Sequence, residues 1–197
     1  DGLARNPKSI ASKYFYDARG SALFEQICQQ PEYYLTRDEL TLMQTHAADI
    51  ERALGAGVRL IEYGSGSGKK TRVLLDHLIE PSAYVPVEIS SSALAASVER
   101  LGERFPEVEM LPICADFTRT LPVLEEDHAA APSVVYFPGS TLGNFEPERA
   151  VELLAKMRRE SGRALIGVDL VKDSAVLEAA YNDAAGVTAA FTLNLLE

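Results

Sequence analysis

The chain has 197 residues, 47% of them apolar and 24% charged, which suits one globular domain with a sizeable core. Its net charge of −10 argues against a nucleic-acid partner, and no apolar run is long enough to cross a membrane. The two cysteines, Cys28 and Cys114, make neither a disulfide framework nor a metal-ligand spacing, so they read as small buried hydrophobes in a reducing cytoplasm.

Residues 1–57 read as helices without strands. Tyr14-Phe15-Tyr16-Asp17 and Pro31-Glu32-Tyr33-Tyr34 lie at two connections, where buried rings can anchor loops. Thr36-Arg37-Asp38-Glu39 is a capping box, with the Thr36 hydroxyl taking an exposed N–H and Glu39 reaching back. It predicts one long helix to about Leu54, ended by Gly55 and Gly57. From residue 58 strands and helices alternate. Val58–Tyr63, Tyr84–Ile89, Val134–Phe137 and Ala164–Val171 are predicted strands buried on both faces, and Val108–Cys114 is a weaker one. Helical patterns cover Lys69–Ile79, Ser91–Glu103, Pro147–Glu160 and Ser174–Ala184. This alternation predicts an α/β fold with a mostly parallel sheet, divided into a helical segment, 1–57, and a nucleotide-handling core, 58–197. His46, His77 and His128 show no partner spacing and read as surface or packing residues. Thr188–Glu197 opens a helix without a stop signal, and about five predicted strands are few for a doubly wound sheet, so the chain is expected to be a fragment.

The strongest motif follows the first predicted strand. Glu62 precedes glycines at 64, 66 and 68, and a helix beginning Lys69-Lys70 comes next. Glycines there let the chain turn sharply and leave bare backbone for a ligand, while Glu62 is expected beside that ligand at the strand's carboxyl end. A lysine is slightly unfavourable at a helix N-terminus, which favours a ligand role for Lys69 or Lys70. A dinucleotide loop usually reads G-x-G-x-x-G, and here the third glycine comes one residue early. Glu62-x-Gly64-x-Gly66-x-Gly68 instead resembles the S-adenosylmethionine (SAM) loop of Rossmann-like methyltransferases. Glu88 ends the second predicted strand, where a carboxylate can accept both ribose hydroxyls. Asp116-Phe117 follows the third, where Asp116 can take the adenine amino group and Phe117 can cover the base; Ala-Asp-Phe resembles the adenine motif of SAM enzymes.

A wider resemblance rests on Pro138-Gly139-Ser140-Thr141-Leu142-Gly143-Asn144-Phe145, Tyr-Phe-Tyr-Asp-Ala-Arg-Gly-Ser at 14–21, Pro-Glu-Tyr-Tyr at 31–34 and Gly-Val-Asp-Leu-Val-Lys-Asp at 167–173. Together these resemble the histidine-specific N-α-methyltransferases, whose best-known members trimethylate L-histidine to hercynine in ergothioneine biosynthesis. The resemblance implies a Rossmann-like class I methyltransferase fold, a SAM cofactor, a small amino-acid substrate and no metal. It implies substrate contacts at Tyr16, Tyr33, Gly139 and Asn144, and cofactor contacts at Gly64, Lys70, Glu88, Asp116 and Phe117. Glu88 stands where many relatives have Asp. Family members run past 300 residues, so the C-terminal part of the fold, with much of the imidazole pocket, is expected to be absent here.

The chemistry asks for few charges. Methyl transfer from a sulfonium needs a neutral amine aligned with the methyl group, and positioning supplies much of the acceleration. Asn144 can accept an amine N–H; Tyr16 and Tyr33 can orient the amine or donate to a carboxylate without adding charge. Asn144 is expected to hold the amine and Tyr33 the carboxylate, with the split between the two tyrosines open. Asn144 can alternatively cap the helix beginning at Pro147. Three other functions remain open: action on another amine such as a tryptophan derivative, an NAD-dependent oxidoreductase, and a non-catalytic SAM-binding domain.

Overall fold

The chain's long apolar runs become the centre of a parallel sheet because helices cover both of its faces. The computed structural model describes residues 4, 6–8, 10–121 and 132–196. Its strands are β1 (Arg59–Tyr63), β2 (Ala83–Glu88), β3 (Glu109–Met110), β4 (Ile113–Cys114), β5 (Ser133–Phe137) and β6 (Ala164–Ile166). They are ordered β3-β2-β1-β5-β6, with β4 also on β2, and every pairing is parallel. All residues of β1, β2 and β5 are buried. Alternate side chains go to opposite faces. On one face Leu60, Tyr84, Val134 and Tyr136 pack with Met43, Leu54, Val73, Leu74 and Leu101. On the other, Ile61, Tyr63, Val85, Val87, Val135 and Phe137 pack with Leu153 and Met157.

The helices are α1 (Ala18–Ile27), α2 (Leu35–Thr45), α3 (Ala47–Leu54), α4 (Lys69–Leu75), α5 (Ser91–Arg104), α6 (Pro147–Ser161), α7 (Ser174–Ala180) and α8 (Val187–Leu193). Two compact units emerge: Asp1–Tyr34 with Lys172–Glu197, and Leu35–Val171. The boundary expected at residue 57 differs from this division, because Met43 and Leu54 are buried in the core with the sheet. In the first unit Phe15 stacks on Phe191 at 5.2 Å, and Asn194 donates to Asp17 at 3.0 Å, joining segments far apart in sequence.

Several predicted elements change at their ends. The single helix predicted to Leu54 is broken at His46, whose φ and ψ are −108° and 18°. The hydroxyls of Thr41 and Thr45 bond back to the carbonyls four residues earlier, which bends helices and prepares this break. The predicted strand at 108–114 is split into β3 and β4 opposite Val85-Pro86, where Pro86 and Pro112 both lack an N–H for the ladder. The predicted strand to Val171 stops at Ile166. Gly167 still donates to the Phe137 carbonyl, but Val168, Leu170 and Val171 are exposed. The cysteines also depart from expectation: Cys28 is half-buried and Cys114 exposed. His46 lies 3.6 Å from Asp49 and His77 meets the Val73 carbonyl at 2.8 Å; His128 lies outside the described residues. Among the described residues no helix is long and apolar enough to cross a membrane.

Candidate functional site

The glycine loop turns from β1 into α4 through three left-handed residues, with φ of 74° at Gly64, 50° at Gly66 and 71° at Gly68. Such conformations are costly for other residues. Gly68 also has a packing reason: a Cβ there would stand 2.8 Å from Ser97 Oγ and 3.2 Å from Leu101, so α5 approaches only bare backbone. Gly66 is the opposite case, with nothing within 4 Å of where its Cβ would point. It leaves open backbone surface on the loop.

Glu88 ends β2 and is joined to that loop. Its Oε2 accepts the Gly66 N–H at 3.3 Å, and its Oε1 accepts the Ser90 N–H at 3.0 Å. Each oxygen retains lone-pair capacity for a further donor. Glu62 is 2% exposed and accepts from the Thr71 and Tyr84 hydroxyls, each at 2.5 Å. One oxygen of its carboxyl, Oε2, is thus engaged by β2 and by the first turn of α4. Burial pushes the carboxyl up to about 7, against the opposing pull of the two hydroxyls and of Lys70.

Asp116 and Phe117 follow β4 at the same end of the sheet. Asp116 Oδ1 accepts the Thr118 N–H at 3.0 Å and its hydroxyl at 2.6 Å, which shapes the turn. The Phe117 ring lies among Tyr63, Phe137 and Phe145, at centroid distances of 5.3, 5.5 and 6.4 Å. A Cβ on Gly64 would stand 3.7 Å from that ring, so the first loop glycine and Phe117 are neighbours.

A second loop, after β5, carries Gly139 and Asn144. Gly139 has φ +82° and Ser140 φ +56°, a left-handed conformation uncommon outside glycine and often found at functional sites. The Gly139 N–H donates to both oxygens of Glu39, at 2.9 and 3.0 Å, and Lys70 Nζ lies 2.5 Å from Glu39 Oε2. A Cβ on Gly167 would fall 2.0 Å from Glu39 Oε1, so a side chain there would displace the Glu39 carboxylate from its present position. Glu39 thus ties α2 to the first turn of α4 and to the loop after β5. The sequence offered Glu39 only as half of a capping box. In the structure α2 begins at Leu35, and the Glu39 carboxylate is engaged across the fold. The charge complementarity of Glu39 and Lys70 was the available signal, but 31 residues of sequence separate them.

Asn144 closes the short 3₁₀ turn Thr141–Asn144 and is exposed. It does not cap the helix that follows: α6 takes Glu146 as its N-cap, has no side-chain cap bond and starts on Pro147.

The expected tyrosines lie in the first unit. Tyr16 and Tyr33 both place edges on Phe24, at 5.5 and 6.3 Å, and Tyr33 also meets Tyr181 at 5.9 Å. Tyr33 is buried and Tyr16 half-buried. Between them Asp17 caps α1 by accepting the Gly20 N–H at 2.7 Å, and a Cβ on Gly20 would strike the Phe15 carbonyl oxygen at 1.7 Å. The Asp-Ala-Arg-Gly part of the motif therefore fixes the chain that carries Tyr16.

Within the second unit, the glycine loop, Glu88, Asp116 and Phe117 follow β1, β2 and β4 at the carboxyl edge of the sheet, where open parallel folds place their ligands. Comparison with known proteins specifies the family. Residues 1–197 match the family described as histidine-specific, SAM-dependent methyltransferases. Histidine N-α-methyltransferase of Mycolicibacterium smegmatis is 40% identical over 205 aligned positions, which cover 99% of this chain and 61% of that protein. The Mycobacterium tuberculosis enzyme of the same name is 39% identical, with the same coverage of 99% and 61%. The chain thus spans about three fifths of the length of these curated relatives. The crystal structure of N-methyltransferase NodS from Bradyrhizobium japonicum shares the fold, with a TM-score of 0.51 at 12% identity over 79% of this chain and 82% of that one. A Rossmann-like sheet, a glycine loop of methyltransferase pattern and a match along the whole sequence agree: the chain belongs to the histidine-specific, SAM-dependent methyltransferase family.

Proposed function

We propose that the protein transfers methyl groups from SAM to the α-amino group of L-histidine, giving hercynine, in the cytoplasm. The observation that carries this reading is the 40% identity to a histidine N-α-methyltransferase across 99% of the chain. The residues present fit the cofactor. Gly64, Gly66 and Gly68 offer a loop with open backbone at Gly66. Glu88 has acceptor capacity suited to ribose hydroxyls, Asp116 and Phe117 suit the adenine, and Lys70 suits the cofactor's carboxylate. When bound, SAM supplies an electrophilic methyl group and departs as a neutral thioether.

The chain's own residues then have a modest task. Asn144 accepts an N–H of the neutral amine through its side-chain carbonyl, which aims the nitrogen lone pair without placing a charge beside it. Tyr16 assists in orienting that amine, Tyr33 donates to the substrate carboxylate, and Gly139 gives the substrate loop its turn. As the nitrogen–carbon bond forms, the amine gains positive charge, and its proton leaves to water before the next transfer. No side chain needs to act as a strong base.

Two titrations and one assay test this reading. Calorimetry should give binding of S-adenosylhomocysteine and none of NAD. Mass spectrometry should find N-α-methylated histidine after incubation with SAM. Binding of NAD without S-adenosylhomocysteine overturns the cofactor assignment, and methylation of a tryptophan derivative with histidine unmodified overturns the substrate.

A further inference from the structure

Tyr63 is the last residue of β1, adjacent to the glycine loop, and is 1% exposed. Its hydroxyl sits between Lys156 and Glu160 of α6. Lys156 Nζ donates to the Tyr63 oxygen at 2.6 Å, and the Tyr63 hydroxyl donates to Glu160 Oε2. Lys156 Nζ also lies 2.5 Å from Glu160 Oε1 and 4.6 Å from the Tyr63 ring centroid. Lys156 is 6% exposed and Glu160 not at all.

Burying two ionisable groups, with the Glu160 carboxyl pushed up to about 8 by its burial, is a poor way merely to fasten a helix to a sheet. Their desolvation is expensive, and well-packed apolar residues hold as well or better. What the pair supplies is direction. A hydroxyl that receives from Lys156 and gives to Glu160 is held from two sides, and the ring that carries it is held with it. The plane of that ring matters because its other partner is Phe117, stacked at 5.3 Å with 14° between the planes. Phe137 meets both rings edge-on, at 6.0 and 5.5 Å, and completes the clamp.

We propose that Tyr63, held by Lys156 and Glu160, is a positioning residue for cofactor binding, which presets the plane of Phe117 against which the adenine of SAM rests. The proposal rests on the reading of Phe117 as a cofactor residue. Tyr63 and its two partners touch no ligand themselves; they act through Phe117.

The test is a double-mutant cycle on S-adenosylhomocysteine affinity, measured by calorimetry. Phe117→Ala and Tyr63→Leu are each expected to weaken binding by about tenfold, as loss of an aromatic platform for a base does. The double variant should bind no more weakly than Phe117→Ala alone, because Tyr63 has no other route to the ligand. Tyr63→Phe keeps the ring, disturbs the fold least and loses only the anchor; a loss of about threefold is expected, and Lys156→Met should match it. Unchanged affinity in Phe117→Ala removes that residue from the cofactor site and the proposal with it. Weak binding in Phe117→Ala with full affinity in Tyr63→Phe and Tyr63→Leu overturns the proposal alone, as do fully additive losses, which a merely structural Tyr63 would give. Should Tyr63→Leu fail to fold, Tyr63→Phe and Lys156→Met in the Phe117→Ala background decide the matter in the same way.

Discussion

Lys70 Nζ lies 2.5 Å from Glu39 Oε2, while the same carboxylate accepts the Gly139 N–H with both oxygens. One side chain of α2 therefore links the helix of the cofactor loop to the loop that carries Asn144. Glu39→Ala leaves a backbone donor and an ammonium without their partner, at a cost of about 1–3 kcal/mol. Glu39→Gln keeps an acceptor for Gly139 and loses only the ion pair, so it should cost less. Urea denaturation of both variants checks the order; equal stability of Glu39→Ala and the parent protein would contradict the role given to this carboxylate.

Gly68 and Gly162 share nearly the same left-handed φ, 71° and 70°, but differ in their surroundings. Alanine at either position carries a backbone cost of about 1–2 kcal/mol. At Gly162 the new Cβ meets nothing within 4 Å, whereas at Gly68 it meets Ser97 and Leu101. Gly68→Ala should therefore be the more destabilising of the two by about 1–3 kcal/mol, since overpacking is added to strain. Thermal denaturation of the pair measures the difference, and identical midpoints would argue against close contact between the loop and α5.

Glu62 makes stability depend on pH. Its carboxyl is held at about 7 in the folded chain, against 4.5 when unfolded, chiefly by burial. Below about pH 4.5 it is protonated in both states, and its contribution to stability is complete. As pH rises through about 7 the unfolded chain has already released the proton that the folded chain still holds, so stability falls. Glu62→Gln, which does not titrate, should flatten that fall between about pH 5 and about pH 8. Denaturation midpoints across this range provide the check; an unchanged slope in the variant would mean that Glu62 is ionised in both states.

Asn144 is assigned to the substrate, so its loss should separate the two ligands. Asn144→Ala is expected to weaken histidine binding by about tenfold, the cost of the one hydrogen bond assigned to it. S-adenosylhomocysteine affinity should stay unchanged. Paired calorimetric titrations read both numbers, and unaltered histidine affinity would remove Asn144 from the site.

The sheet was legible because its signals are local. Val58, Leu60, Ile61 and Tyr63 mark a buried strand that carries Arg59 and Glu62 in with it, and the three glycines that follow make the sharp turn expected of them. Element ends were less legible, because long-range packing decides them. The break at His46 comes after two threonines that bond back along the helix, and β6 ends before an exposed run, Val168, Leu170 and Val171, whose apolar composition alone reads as strand. At the site, Glu88, Asp116 and Phe117 stand at strand ends, as their order along the chain suggested. The burial of Glu62 against Thr71 and Tyr84 is not legible in the sequence, because a carboxylate at a strand end can face a ligand or the fold beneath the loop. Glu39 and the Tyr63–Lys156–Glu160 group escaped notice because each depends on partners 31 to 100 positions away.

The most direct measurement is the mass spectrum of L-histidine after incubation with the protein and SAM. The expected result is histidine carrying methyl groups on its α-nitrogen, with S-adenosylhomocysteine formed in step. Histidine recovered unmodified, while S-adenosylhomocysteine binds with full affinity and another amine is methylated in its place, would contradict the proposed substrate.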